Sequence, residues 1–217
     1  MTHQPPSPRA VLTSLFSQLT SRACAGRGQI SPTNPLRGLA PEDRQLFVTL
    51  HCLFPNEFLS ALDLLDRQLV TRFTSRPGNN EADHEEPSKA RDQTVVHYVR
   101  SAQPTTRWRN QSASLGTSYE VRVGAWNCSC PAFIFAAFNS SSLEHPRGTR
   151  DDRWRQKGAS GGAFGGLSLG EDIPPVCKHL LACFMAEKCN TLFGDFVTEE
   201  SASKEEMTGW GAGWGDR

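Results

Sequence analysis

The sequence predicts an α+β fold in which N-terminal helices precede a small sheet and a late cluster of metal-ligand residues. Three observations predict it. Apolar residues recur at helical spacing in the first third of the chain, and three later stretches alternate apolar with polar residues. Three cysteines and one histidine then occur as two close pairs, the second followed by a run of helix-forming residues.

The first 75 residues divide into two predicted regions. Residues 1–40 contain an amphipathic helix, with apolar side chains from Val11 to Leu19 at helical spacing, and a Gly/Pro-rich flexible linker. Residues 41–75 contain a helix opened by Pro41 and an acidic first turn, and a third helix for which Asn56 is a candidate N-cap. The alternating residues 69–74 then predict the first strand.

Residues 94–190 carry the rest of the predicted sheet and the cysteine-histidine pairs. The alternating segments 94–100 and 118–124 predict two more strands, which gives an antiparallel sheet of about three. Residues 139–173 are rich in Ser and Gly and are predicted to form a low-complexity insert. Residues 191–217, an acidic segment with Gly and Trp, are predicted to be disordered.

The two pairs are Cys128-Ser-Cys130 and Cys177-Lys-His179. Three thiolates and one imidazole form a complete tetrahedral ligand set for Zn²⁺, and a set with no open position is typical of a structural rather than a catalytic site. The sequence therefore predicts one structural zinc ion. Buried cysteines without a metal are the simpler alternative, since free cysteine often packs as a small apolar residue.

Local geometry explains how each pair can reach one ion. Residues two apart share a face of a strand, so a strand end can supply both Cys128 and Cys130, and Pro131 is expected to end that strand. Cys177 and His179 are expected in the first turn of a helix, whose free N–H groups favour an anionic ligand sphere. Cys183, four residues after His179 on the same helical face, is an alternative ligand.

Composition limits the classes of function. The chain has 23 basic and 23 acidic residues, whereas a protein that binds nucleic acid alone usually has a basic excess. A contact with DNA is therefore expected only together with a partner. No apolar run is long enough for a membrane span, so no membrane association is expected. The seven cysteines, an odd number, favour metal binding in a reducing compartment over a disulfide framework.

The ligand spacing resembles the SWIM-type zinc finger, in which Cys-X-Cys is followed, after a variable gap, by Cys-X-His at a helix start. Beyond the ligands, Asp66-Arg-Gln68, the strand beginning at Tyr119, and Cys128-Ser-Cys-Pro-Ala-Phe133 occur in the order seen in the zinc finger SWIM domain-containing protein 7 family. The chain is similar to that family over about residues 43–190. Its longer gap at 131–176 and its insertion at 76–93 depart from the family pattern.

The resemblance implies a non-catalytic subunit of a Shu-like complex that acts in homologous recombination in the nucleus. The implied partner is a RecA-like recombinase paralogue, with which the protein would promote recombinase filament assembly on single-stranded DNA. Asp66 and Arg67 are candidate partner-binding residues, although an ordinary ion pair at a helix-to-strand junction also explains them. Leu180 and Leu181, on the helix after Cys177, are further candidates for the partner surface.

Two basic segments with an aromatic residue are candidates for binding single-stranded DNA, because bases stack on aromatic rings while cations neutralise phosphates. They are Arg107-Trp108-Arg109 and Arg153-Trp154-Arg155. Solvated, disordered chain without a DNA contact is the simpler explanation of both segments. In the acidic tail, Trp210 and Trp214 are candidate anchors for a partner groove.

An alternative function is an autonomous zinc-finger protein that binds nucleic acid without a partner, which the zero net charge disfavours. A zinc hydrolase is a third possibility. It would need an open coordination position and a nearby general base, and the predicted ligand set leaves no position open. The sequence therefore predicts that the protein is not an enzyme.

Overall fold

The structure is a computed structural model that describes residues 5–23, 34–75, 95–102, 117–139, 163–166 and 172–212. Within these ranges the chain has an α+β fold, as predicted. Its helices are α1 (Pro8–Ala23), α2 (Pro41–Leu53), α3 (Phe58–Asp66), α4 (Pro131–Asn139), α5 (Lys178–Lys188), α6 (Asn190–Phe193) and α7 (Lys204–Gly211). Its strands are β1 (Val70–Ser75), β2 (Val95–Arg100), β3 (Ser118–Arg122), β4 (Asn127–Cys128) and β5 (Val197–Ala202).

The described strands form one sheet in the order β4-β3-β2-β1-β5. Strands β1 to β4 form an antiparallel meander, which agrees with the predicted antiparallel sheet. Strand β5 pairs in parallel with β1, with Val70 opposite Val197, and this pairing was not predicted. The sheet therefore has two strands more than expected, the short β4 and the parallel β5.

The two faces of the sheet pack against different helices. Val70, Val99 and Val121 lie in the main hydrophobic core, where α5 packs against β3 and β4 and α3 packs against α5. On the opposite face, Phe73 and Val96 belong to a smaller cluster that α7 completes. The alternation of side chains along each strand assigns them to these two faces.

The C-terminal segment differs from the predicted disordered tail. Strand β5 continues the sheet, and α7 begins with a capping box in which Ser203 and Glu206 exchange hydrogen bonds. Trp210 packs edge-on against Phe73 at 5.3 Å between ring centroids. The acidic composition concealed this structure, because the glutamates of β5 are exposed at the edge of the sheet. Trp214 lies outside the described residues.

The predicted low-complexity insert also contributes to the core. Phe164 is fully buried, and its ring lies 5.3 Å from Phe16 and 4.6 Å from Trp126. Arg9 on α1 donates hydrogen bonds to the carbonyls of Phe164 and Gly166, at 2.9 and 2.7 Å. Gly166 has φ +50°, and a Cβ there would lie 2.4 Å from a backbone oxygen, so this turn requires glycine.

The N-terminal helices lie where the sequence places them, with one correction. Asn56 does not cap α3; the helix begins at Phe58, and Glu57 precedes it without a side-chain cap. Helix α4, directly after the first cysteine pair, was not predicted. Among the helices described, none is both long and apolar enough to cross a bilayer.

Candidate metal centre

The first half of the site is built at the end of the β3–β4 hairpin. Cys128 ends β4 and pairs with Val121 on β3, and Cys130 immediately precedes α4. Ser129, between the two cysteines, is tied to Glu120 of β3 twice: its N–H donates to the Glu120 carbonyl at 3.0 Å, and its Oγ accepts from the Glu120 N–H at 2.9 Å. These bonds hold the loop so that both thiols point inward.

The second half is the start of α5. Cys177 is the N-cap residue, and its Sγ accepts a hydrogen bond from the N–H of Leu180 at 3.4 Å. His179 lies in the first turn, with its ring 4.7 Å from that of Tyr119. A helix N-terminus carries free N–H groups and a positive partial charge, which stabilise the thiolate form of Cys177.

The structure brings the four predicted residues together. One ligand atom each from Cys128, Cys130, Cys177 and His179 lies within 4.8 Å of all the others, and Cys128 Sγ is 3.9 Å from His179 Nδ1. Zinc bond lengths place the sulfur and nitrogen of a tetrahedral site about 3.6 Å apart and two sulfurs about 3.8 Å apart. The cluster therefore fits a zinc ion after shifts of less than about 1 Å.

Burial distinguishes the kind of site. The four side chains are at most 4% exposed, and His179 Nε2 is buried with no hydrogen-bond partner in the described residues. Burying three thiols and an imidazole this closely is costly unless a cation satisfies them. A closed, buried set of three sulfurs and one nitrogen is the donor chemistry of structural zinc.

The thiols influence one another strongly. Hydrogen bonds from Cys128 and then Cys177 hold the pKa of Cys130 far below its usual range. The hydrogen bond with Cys130, followed by that with Cys177 and by burial, raises the pKa of Cys128 well above its usual range. For Cys177, the bond with Cys128 lowers the pKa, but the bond with Cys130 and burial outweigh it and raise the pKa to about 12. Filling the site therefore releases protons, so metal affinity increases with pH.

Trp126 connects the two halves, and sequence reasoning missed it. Its indole N–H donates to the carbonyl of Pro175, two residues before Cys177, at 2.9 Å. Its backbone has φ +52°, which is unusual for a residue with a side chain. The buried ring packs 5.4 Å from Phe184 of α5. A tryptophan two residues before Cys-X-Cys was the only available signal.

The structure separates Cys183 from the cluster. Cys183 is fully buried on α5, and burial, followed by the charge of Glu187, raises the pKa of its thiol well above the usual range. The group of potential ligands in the described chain comprises the four predicted residues and does not include it. Cys183 is therefore read as an apolar core residue.

The candidate partner residues have two different outcomes. Leu180 and Leu181 are fully buried in the main core, so the prediction that they face a partner is wrong. Asp66 and Arg67 are exposed at the end of α3. Arg67 pairs with Asp63 at 3.4 Å rather than with Asp66. Asp66 lines a cavity of about 330 Å³ to which α3 and α6 both contribute residues. Its role in partner binding stays a prediction.

The candidate DNA-binding residues belong to two basic segments of the sequence. Both basic segments, Arg107-Trp108-Arg109 and Arg153-Trp154-Arg155, lie outside the described residues. Their predicted role stays a prediction.

The fold and the site together define a class: a zinc finger protein in which a strand end and a helix start enclose one structural zinc ion. No protein-family model matches the chain. Over 188 residues it is 26% identical to the zinc finger SWIM domain-containing protein sws1 of Schizosaccharomyces pombe, covering 85% of this chain and 71% of that protein. The predicted resemblance to SWIM-domain zinc finger proteins is confirmed, and so is the predicted structural zinc. The relative is named as a zinc finger protein and not for an enzymatic activity.

Proposed function

We propose that this protein is a non-catalytic, zinc-stabilised subunit of a Shu-like complex. In this complex it pairs with a RecA-like recombinase paralogue and promotes assembly of the recombinase filament on single-stranded DNA during homologous recombination. The observation that carries the proposal is the closed Cys₃His cluster within a chain similar to a SWIM-domain zinc finger protein along most of its length.

The free energy of zinc binding supports a structural role for the site. Zinc binding to finger peptides contributes an apparent free energy of about 10–16 kcal/mol, comparable to the whole stability of a typical domain at about 5–15 kcal/mol. The cluster joins β4 and α4 to α5, which are far apart in the sequence. Zinc binding therefore stabilises the arrangement of elements that a partner would recognise, even though the ligands themselves are buried.

The same ligand set disfavours hydrolytic chemistry. A catalytic zinc site has three protein ligands and keeps the fourth position for water or substrate. Here four protein donors surround the site, and all four are buried away from solvent.

The charge balance supports contact with DNA through the complex rather than by the protein alone. The chain has equal numbers of basic and acidic residues, so it gains little from neutralising phosphates by itself. The partner would supply the main DNA contact. The complex would act in the nucleus, where recombination takes place, and imaging of the tagged protein in its own cells checks this location.

The experiment compares the full-length wild type with Cys130→Ser and with Cys183→Ser, a buried cysteine outside the cluster. Each is coexpressed with each RecA-like recombinase paralogue of the source cell, and both zinc content and copurified paralogue are measured. We expect one zinc ion per chain and a stable complex for the wild type and Cys183→Ser. Cys130→Ser should lose both.

Two results would contradict the proposal. The first is a wild-type protein that copurifies with none of the paralogues. The second is a zinc-free Cys130→Ser protein that retains its paralogue at the wild-type yield, because the metal would then not be needed for recognition.

A further inference from the structure

Helix α4 exposes an unusual amount of apolar surface for so short an element. Ile134 is 45% exposed, Phe135 67% and Phe138 80%, whereas Phe133 is buried. Since a phenylalanine side chain has an area of about 150–250 Å², these three residues expose on the order of 350 Å². This lies within the range of about 300–600 Å² for the largest apolar patch on a typical soluble monomer, and such patches are often functional.

The zinc site determines where α4 lies. The N–H of Phe133 donates to Cys130 Sγ at 3.4 Å, and the N–H of Ile134 donates to the Cys130 carbonyl at 3.2 Å. The Phe133 side chain belongs to the main core. The exposed residues of α4 are therefore oriented by a helix start that is continuous with one of the four ligands.

We propose that the exposed face of α4, formed by Ile134, Phe135 and Phe138, is the surface that docks the protein partner, and that the partner receives it in an uncharged apolar groove. This inference rests on the proposed function and names the surface through which the recombinase paralogue is bound. A helix laid into a hydrophobic groove is a recurrent mode of recognition.

The chemistry of α4 selects this kind of occupant. From Pro131 to Asn139 the helix carries no charged residue. Nucleic acid would require lysine or arginine to neutralise phosphates, and helices that lie on membranes carry these residues on their polar face. An uncharged apolar protein surface is the occupant that loses least when it covers α4, because neither side has to bury a charge.

The shape of α4 disfavours a second copy of the same chain. Its exposed large side chains form one convex stripe about 100° wide, in which Phe138 lies between Ile134 and Phe135 around the circumference. Two such convex helices would cover only one stripe of each other, whereas a stable interface covers about 800 Å² per partner. A concave groove covers both flanks of the helix and the surface beside it.

The test uses the full-length protein with Phe135→Ser and Phe138→Ser together. The matched control, Val48→Ser with Leu59→Ser, removes two apolar side chains of similar exposure, 57% and 58%, from α2 and α3. Affinity is measured for the recombinase paralogue that the wild type copurifies. We expect the α4 variant to bind at least about 100-fold more weakly, because buried aromatic anchors dominate interface energies, and the control to bind like the wild type. Zinc content and thermal unfolding should remain at wild-type values in both.

Each other outcome overturns the inference in a distinguishable way. Wild-type affinity in the α4 variant overturns the docking surface and leaves the proposed function standing. Equal weakening by the control variant shows that recognition is not specific to α4. A wild type that binds no paralogue contradicts the proposed function itself. If sedimentation then reveals a dimer that only the α4 variant abolishes, the occupant is a second copy of the chain.

Discussion

Helices α4 and α5 begin in nearly the same way but differ in how much of each helix is buried. Each starts directly after a cysteine of the cluster, and each donates an N–H to that cysteine's sulfur at 3.4 Å, from Phe133 to Cys130 and from Leu180 to Cys177. Yet α5 is buried along nearly its whole length, whereas α4 buries only Phe133 among its described large side chains.

The difference shows what the metal joins. Helix α5 is part of the core and packs against α3, β3 and α1, so core contacts fix its position. Helix α4 has few such contacts, and its position depends on Phe133 and on the ligand loop. The zinc site therefore connects a rigid element to an exposed one, and the two helices should respond differently to the same perturbation.

Removing the metal should produce the largest effect. We expect chelation to abolish the cooperative unfolding transition, because zinc contributes an apparent free energy as large as the stability of a small domain. Amide hydrogen exchange should become fast along α4 before α5, since core contacts hold α5 in addition to the metal. Exchange measured by mass spectrometry during chelation checks this order.

Restoring zinc should reverse the change, which serves as the control for irreversible damage. An unchanged melting transition after verified removal of zinc would show that the core holds both helices without the metal.

The second largest effect should come from truncating one phenylalanine on each helix, which should distinguish α5 from α4 by the loss of stability. Phe184 on α5 is 1% exposed and packs against Phe16 and Trp126, so Phe184→Ala should lower the free energy of unfolding by about 3–5 kcal/mol. Phe135→Ala on α4 should change it by less than about 0.5 kcal/mol, because the side chain is exposed. Denaturant titration of the zinc-loaded variants measures both values.

Equal losses for the two variants would contradict the comparison, since they would mean that α4 is packed as tightly as α5. Equal zinc content in both samples must be verified first.

The third and smallest effect concerns pH. His97 on β2 faces Glu187 of α5 at 3.8 Å and Arg72 of β1, and neither of its ring nitrogens has a hydrogen-bond partner in the described residues. Burial, followed by the charge of Arg72, lowers the pKa of His97 to about 4. The unfolded chain takes up this proton near pH 6.5, so stability is present above that pH and is lost as pH falls toward 4. The loss should reach about 3 kcal/mol.

The variant His97→Leu isolates this contribution. It should flatten the pH dependence of the unfolding free energy between about pH 6.5 and 4, without loss of stability at pH 7, because an unsatisfied buried ring is removed. Glu187, whose pKa burial raises, acts in the opposite direction. Identical pH profiles for the wild type and the variant would show that His97 does not titrate as described.

The metal site was the most predictable part of the molecule. Two cysteines separated by one residue, and a cysteine and a histidine separated by one residue, restrict the geometry so tightly that the cluster followed from spacing. Helices α1 to α3 followed from the helical spacing of their apolar residues, which is also a local rule. Trp126 did not follow, since its role depends on Pro175, which is distant in the sequence.

The features that could not be predicted from the sequence depend on contacts between distant segments. Phe164 lies in a Gly-rich stretch with no periodic pattern, and only its four ring neighbours from elsewhere in the chain reveal it as a core residue. The sequence of strand β5 is acidic and typical of a solvent-exposed segment, because the strand lies at the exposed edge of the sheet. Leu180 and Leu181 are predicted as partner residues from their apolar character, but the chain itself covers this face of α5.

The brevity of β4 has a consequence for a chain that fails to acquire its metal. This strand covers only Val121 and Arg122 of β3, and the serine between the ligands extends the cover to Glu120. If the loop comes away, β3 becomes an open sheet edge that can pair with the backbone of another molecule. Metal-deficient copies should therefore be removed by aggregation rather than persist as half-folded competitors for the partner.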